Sequence, residues 1–230
     1  MKQTSATSVM AAFGISIIAK ALFVVSCVMQ YRLLCRPTFS MIEAQANDAR
    51  QRFFAFSNPP IVISAIVVLL VWVYHAKKRV IGLGMRGAEY SPGLSVGTFF
   101  IPFANLFLPF AALRELWRAS INPVEWKDQK TSPLVGCWWA SWLVNSLFPL
   151  AVLVSSRIGT GREVLKRTTL GLTISAALAI LSFTLTIVLV RSISRQINRS
   201  AEAASRVDRG NLPPLLTSAA GEPLPNAADL

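Results

Sequence analysis

Hydrophobic residues gather in five long runs along the chain, separated by polar stretches. The runs cover residues 9–31, 60–76, 94–113, 134–156 and 168–190. Each run has the length of about 17 to 25 residues that an α-helix needs to cross a hydrocarbon core of roughly 30 Å. The pattern therefore predicts an all-α fold, a polytopic transmembrane helix bundle of about five membrane segments.

Two polar stretches have the periodicity of amphipathic helices. In the first, Ser40 and Glu43 have the spacing of a capping box, and apolar residues recur along residues 42–56 at steps of four and three. We expect an interfacial helix here, ending at Asn58 and the two prolines that follow it. In the second, residues 113–120 predict a shorter amphipathic helix that ends before an Asn-Pro pair.

Beyond the last run, the chain is first basic and then rich in proline and alanine. Arg191, Arg195 and Arg199 form a ridge of positive charge at helical spacing. We expect this ridge to contact anionic lipid headgroups. The predicted units are 1–59 (first transmembrane helix and interfacial helix), 60–190 (core membrane domain of four segments), 191–210 (basic cytoplasmic helical extension) and 211–230 (disordered tail).

The third run contains the sequence FFIPFANLFLPF and is an unusual membrane segment. In a helix, Pro102 could not bond to the carbonyl of Thr98, nor Pro109 to that of Asn105. Carbonyls without partners cost several kcal/mol each in lipid, so they must face protein, water or a ligand. Two alternatives stay open: a proline-broken span, or a re-entrant segment that returns to the side it entered.

The fourth run repeats part of this pattern, because Asn145 precedes Pro149 by four residues, as Asn105 precedes Pro109. If both runs span, they run in opposite directions, as in an inverted repeat around a site in the middle of the membrane. Chance similarity between two apolar segments is the alternative.

Lys20 lies in the middle of the first run, and none of the five runs contains Asp or Glu to pair with it. An ionisable group within the membrane is a functional hypothesis by default, although a tilted helix beside a wet crevice would also accommodate it. These features define a candidate polar site in the membrane, composed of Lys20, Thr98, Pro102, Asn105, Pro109, Asn145 and Pro149.

Composition and charge support a membrane protein. The chain has 53% hydrophobic and 15% charged residues and a net charge of +12. All but one of its 23 lysines and arginines lie beside or between the apolar runs, which favours a membrane surface over nucleic acid as the partner. If the third run re-enters, the side of the membrane that carries the C-terminus has 14 basic residues near the ends of the runs, and the other side has 8. If the third run spans, the two sides have 13 and 9. Both arrangements place the C-terminus in the cytoplasm.

No catalytic or cofactor-binding motif stands in a suitable context. The sequence GLGMRG at residues 82–87 matches a dinucleotide-binding pattern, but a basic membrane-proximal run precedes it and no helix pattern follows it. His75 is the only histidine, and the three cysteines form no CxxC pair. We expect no cofactor, no metal site and no enzymatic activity.

Three stretches of the sequence form a specific pattern: WVYHAKK (72–78), YSPGLSVGTFFIPFANLFLPFAALRELWRAS (90–120) and LVGCWWASWLV (134–144). They resemble a bacterial membrane family, domain of unknown function 4328. The resemblance covers roughly residues 60–190 and implies a bacterial multi-pass membrane domain without an assigned activity. No residue acquires a catalytic role from it.

The sequence therefore favours a non-enzymatic module of the bacterial inner membrane that binds lipids or a protein partner. The alternative is a small transporter or channel with a polar site at broken helices, and a membrane enzyme is the third hypothesis. A transport site requires a polar cavity near the middle of the membrane, whereas an interaction module requires tight packing there.

Overall fold

The computed structural model of the protein describes residues 6–210, without the side chains of residues 207–210. Over this range the chain is helical, with no strand. The six α-helices are α1 (Ala6–Cys35), α2 (Met41–Gly82), α3 (Pro92–Gly97), α4 (Leu108–Ile121), α5 (Pro133–Ser156) and α6 (Arg162–Gly210). Short 3₁₀-helices at Ala104–Leu106 and Trp126–Asp128 lie in the connections.

Four of the helices, α1, α2, α5 and α6, are long and apolar enough to cross a membrane. Their outward sides carry large apolar residues, of which Ile15, Ile18 and Leu22 on α1 are each more than half exposed. An apolar surface of this extent is stable in lipid and not in water. The predicted all-α membrane bundle is confirmed, and the protein is a multi-pass membrane protein.

The spanning helices pack with α6 as the shared neighbour of α1 and α5. At one level of the bundle, the rings of Phe13 on α1 and Phe183 on α6 meet edge to face, 5.4 Å apart. Near the beginning of α6, Arg162 Nη1 donates to the carbonyl of Arg36, which follows α1, at 2.8 Å. Contacts at both levels show that α1 and α6 are antiparallel.

Helix α2 begins where the sequence predicts, but it does not end there. The Ser40 side chain accepts from the Glu43 amide and the Glu43 carboxylate from the Ser40 amide, so the predicted capping box is confirmed. The predicted end at Asn58 is wrong, because α2 continues through Pro59 and Pro60 as one helix of 42 residues. The two prolines leave the carbonyls of Ala55 and Phe56 without helical donors, and the Asn58 side chain donates to a different carbonyl, that of Phe54.

The third apolar run is not a continuous helix. It divides into α3, an irregular stretch at residues 98–107, and the first turns of α4. Phe103 lies at the centre of this stretch with a φ of 62° and a ψ of −43°, and the Ala104 amide donates to the Pro102 carbonyl at 2.7 Å. This geometry is that of a γ-turn, which is strained for any residue with a side chain. The segment is therefore interrupted and does not form a single spanning helix.

The remaining helical predictions are confirmed. The second amphipathic helix is α4, which buries Leu113, Leu116 and Trp117 and ends at Ile121, before the Asn-Pro pair. The predicted extension after residue 190 is helical as the last part of α6. The predicted tail, 211–230, lies outside the described residues.

Candidate functional site

The broken segment leaves one end of the bundle and returns to the same end. The Glu89 amide, before the segment, donates to Glu115 Oε1, after it, at 3.1 Å. Between these positions the chain reaches inward until the Phe99 ring meets that of Trp142 on α5, with centroids 6.4 Å apart. We call this end of the bundle the ion-pair end, because Lys77 and Glu115 form a buried ion pair there. The end with the α1–α2 and α5–α6 turns is called the opposite end. The geometry is that of a re-entrant segment.

A buried ion pair joins α2 to this re-entrant segment. Lys77 Nζ on α2 lies 2.6 Å from Glu115 Oε1 on α4, and the two side chains are 0% and 4% exposed. Removing two charges from water costs several kcal/mol per ion, which the short contact and the Glu89 amide offset. The second carboxylate oxygen of Glu115 has no hydrogen-bond partner within the described part of the chain. The pair therefore depends on both members being present.

Side-chain hydrogen bonds attach the extension of α6 to the same end. Gln196 Oε1 accepts from the hydroxyl of Ser120 at the end of α4, and Asn198 Oδ1 accepts from Arg79 on α2 at 2.8 Å. Ile193 and Ile197 are 0% and 2% exposed, so this part of α6 is packed against the bundle. The extension is thus held in a defined position.

The predicted arginine ridge lies on the outer side of this extension. Arg191, Arg195 and Arg199 are all exposed, whereas Ile193 and Ile197 between them are buried. Helical spacing with opposite burial places the three guanidinium groups on one solvent-accessible face. The ridge is available to an anionic partner.

A small enclosed cavity of about 110 Å³ lies between the four spanning helices and Phe99. Its wall is mostly apolar, with polar groups from Asn145, Ser146, Ser182 and Thr186. Ser182 lies three residues beyond the middle of the apolar run of α6, which is about 4.5 Å along the helix. The cavity is therefore near the middle of the bundle.

Hydrogen bonding at this cavity is incomplete. The indole of Trp138 donates to the Thr186 hydroxyl at 2.9 Å, and that hydroxyl donates to the Ser182 carbonyl. Ser182 Oγ, on a residue only 1% exposed, has no partner among the described residues. A cavity of this size with several polar groups has room for a few water molecules but is below the roughly 300 Å³ of a typical small-molecule site.

Of the residues that the sequence grouped into one polar site, Asn145 lines this cavity. Thr98 is buried and donates to the Ser95 carbonyl within its own turn, and Pro149 is exposed inside a continuous α5. Lys20 is half-buried on α1, and its ammonium lies 5.9 Å from the centroid of the Phe23 ring. A role for Lys20 in a shared site stays a prediction.

The prolines of the third run act differently from the sequence interpretation. Pro109 is buried in the first turn of α4, where the absent amide costs no helical hydrogen bond. Pro102 is exposed and lies in the irregular stretch rather than in a helix, and Asn105 belongs to the 3₁₀-helix beside it. The inverted repeat, which required both proline-containing runs to span, is wrong because α5 is continuous and residues 94–113 are not.

Sequence reasoning missed the buried ion pair, although a signal for Lys77 was present. The buried stripe of α2 includes Leu69 and Val73, and a further step of four residues reaches Lys77. In the sequence, this lysine belongs to the basic run at residues 77–79, next to the second apolar run. Glu115 is likewise surrounded by buried α4 residues, but only the tertiary contact reveals its partner.

Comparison with known proteins identifies the family. A model of the family described as Domain of unknown function (DUF4328) matches residues 36–195, which includes all of the re-entrant segment and the Lys77–Glu115 pair. The match extends further toward the N-terminus than the resemblance seen in the sequence. No curated protein and no solved structure matches the chain. Since the family model covers more than half of the sequence, the chain belongs to the DUF4328 family.

Proposed function

We propose that this protein is a non-enzymatic module of the bacterial inner membrane that binds anionic lipid headgroups through its ion-pair end. The observation that carries the proposal is the arginine ridge, which stays exposed on a helix whose other face is fixed to the bundle. A fixed array of charges loses little entropy on binding. A protein partner with an acidic surface would use the same ridge.

The proposed orientation places the ion-pair end in the cytoplasm. With a re-entrant third segment, the flanks at this end carry 14 basic residues and those at the opposite end 8. An excess of lysine and arginine is typical of the cytoplasmic side. The anionic inner leaflet would then meet the arginine ridge.

Cysteine labelling in intact cells tests this topology. After replacement of the exposed Cys35 and Cys137, single cysteines are introduced as Arg86→Cys, Asp128→Cys and Arg157→Cys, all at exposed positions. We expect a membrane-impermeant reagent to label only Arg157→Cys in intact cells, and all three after permeabilisation. Labelling of Arg86→Cys and Asp128→Cys from different sides would contradict the re-entrant segment.

Spin-labelled phospholipids in reconstituted membranes test the lipid contact. The ratio of motionally restricted anionic to zwitterionic lipid is measured for the native chain and for the triple variant Arg191→Gln, Arg195→Gln and Arg199→Gln. Each arginine near an anionic surface contributes about 1 kcal/mol, so we expect selectivity to fall tenfold or more.

The matched control is the triple Arg→Lys variant, which keeps the charges and should keep most of the selectivity. Unchanged selectivity in the Gln variant would contradict lipid binding by the ridge. Co-purification of tagged protein after mild detergent extraction then tests the protein partner, and reproducible absence of any partner would leave lipid as the only ligand proposed.

The central cavity favours a second candidate function, the permeation of a small neutral solute. Its polar groups include an unpaired hydroxyl and an amide but no charge, which suits water or urea. Stopped-flow swelling of proteoliposomes in a urea gradient is the test. Permeability above that of empty liposomes, lost in Asn145→Leu, would support this function, and permeability equal to that of empty liposomes would reject it.

A further inference from the structure

A larger crevice lies at the opposite end of the bundle, away from the arginine ridge. It has a volume of about 510 Å³ and is formed by Tyr31 of α1, the second half of α5 and the first turns of α6. This volume falls within the range of roughly 300–1,000 Å³ that is typical of small-molecule sites. The crevice therefore has the size of a ligand site, unlike the central cavity.

Polarity changes along the crevice in the way an amphiphile requires. On α6, the charged Glu163, Lys166 and Arg167 line its rim, and Leu170 and Ile174 line its deeper part. Steps of three and four residues keep all of these side chains on one face of the helix. The charged rim precedes the start of the apolar run at residue 168, so it lies at the membrane boundary.

Helix α5 shows the same gradient in the reverse order of sequence. Ser155 lies at the rim, and Ala151 and Phe148 follow toward the inside. The back of the crevice is closed, because a Cβ on Gly171 of α6 would lie 2.8 Å from the Val152 side chain of α5. Because α5 and α6 are antiparallel, the polar residues of both helices lie at the rim of the crevice, and the apolar residues of both helices line its deeper part.

The cations of the rim are held in place. Lys166 Nζ lies 2.8 Å from Glu163 Oε1. Arg167 Nη2 donates to the carbonyls of Ser155 and Ile158 at the end of α5, at 3.2 and 2.9 Å. Each cation has further N–H groups for a ligand, and the net charge of the three rim residues is positive. An anionic group is therefore favoured at this position.

We propose that this crevice binds one anionic phospholipid, with an acyl chain against Phe148 and Ile174 and the phosphate at Lys166 and Arg167. A phospholipid is favoured over a free anion because the apolar wall continues from the charged rim into the membrane-spanning part of α6. The site lies at the other end of the molecule from the arginine ridge, so it does not depend on the proposed function.

Native mass spectrometry of the full chain tests the site. The protein is extracted in mild detergent and titrated with phosphatidylglycerol or phosphatidylcholine of equal chain length, and bound lipid is counted. Lys166→Gln removes one cation, and Ala151→Trp fills the crevice. Arg157→Gln is the matched control, because Arg157 is an exposed cation at the same end that does not line the crevice.

We expect one phosphatidylglycerol to be retained more tightly than phosphatidylcholine. Loss of a hydrogen bond to a charged group corresponds to a weakening of roughly tenfold or more, so Lys166→Gln should lower the affinity by that factor. Ala151→Trp should abolish the tight site, and Arg157→Gln should leave it unchanged. If Ala151→Trp fails to fold by circular dichroism, Ala151→Leu is the replacement.

Equal retention of the two lipids, or unchanged binding in both crevice variants, would overturn the proposal. Displacement of the lipid by millimolar inorganic phosphate would show that a free anion is the ligand, which also overturns it. The triple Arg→Gln variant of the arginine ridge should keep this site, so failure of the proposed function and failure of the crevice site remain distinguishable.

Discussion

Removal of the Glu115 carboxylate is the sharpest test of how the re-entrant segment is held. In Glu115→Gln, the Lys77 side chain stays buried, at 0% exposure. Its ammonium loses the negative charge of the carboxylate that lies 2.6 Å away in the native chain. The variant also weakens the contact that the Glu89 amide makes with the carboxylate. Breaking a buried pair on one side costs about 3 to 5 kcal/mol, because an uncompensated charge stays buried.

The double variant Lys77→Met/Glu115→Leu separates charge burial from packing. It removes both charges and keeps apolar side chains of similar size, but it leaves the Glu89 amide without its acceptor, so we expect it to recover most of the loss and to lie within about 1 kcal/mol of the native stability. Glu163→Gln is the control, since it breaks the Lys166–Glu163 pair, whose carboxylate side chain is 82% exposed. Exposed pairs contribute little, so this variant should show almost no change.

The assay is unfolding in mixed detergent micelles with increasing denaturing detergent, followed by tryptophan fluorescence and circular dichroism. We expect Glu115→Gln to be far less stable than the native chain. The double variant and Glu163→Gln should both be close to the native chain in stability. A loss below about 1 kcal/mol in Glu115→Gln, or a double variant no more stable than the single one, would refute the reasoning about buried charge.

Three further predictions concern packing and backbone geometry. Gly171→Ala should destabilise by about 1 to 3 kcal/mol in the same assay, because its Cβ would lie 2.8 Å from Val152; Gly136→Ala, with open space at the Cβ, should be neutral or stabilising, and equal effects would contradict the close α5–α6 contact. Ser182→Ala should leave thermal stability unchanged or raise it, since it removes a buried hydroxyl without a partner; a loss above about 1 kcal/mol would indicate a bound water or ligand at that hydroxyl. Phe103→Gly should relieve about 1 kcal/mol or more of backbone strain at a φ of 62°, and a lower midpoint of thermal unfolding would show that the exposed ring contributes more than the strain costs.

Local patterns predicted elements well where the reason for the element is local. The capping box at Ser40 and Glu43 acts within one turn, and the four-residue spacing of Arg191, Arg195 and Arg199 is typical of one face of a helix. Prediction failed at Pro59 and Pro60, where a local rule suggested a break. Helix α2 buries residues on both sides of the prolines, from Asn47 to Val80, and this packing outweighs the hydrogen bonds lost there.

Amino-acid sequence by itself determined that the protein is an all-helical membrane protein of its family, because run length, hydropathy and the central motif are properties of the chain read in order. Only the tertiary structure decided that residues 94–113 leave and return at one end, since the contact between Glu89 and Glu115 joins positions 26 residues apart. It also decided that Lys77 is a buried partner rather than an exposed cation. Whether a charged side chain is buried depends on the residues that surround it in space. The helical period shows which face of its helix it occupies but not which other helix covers that face.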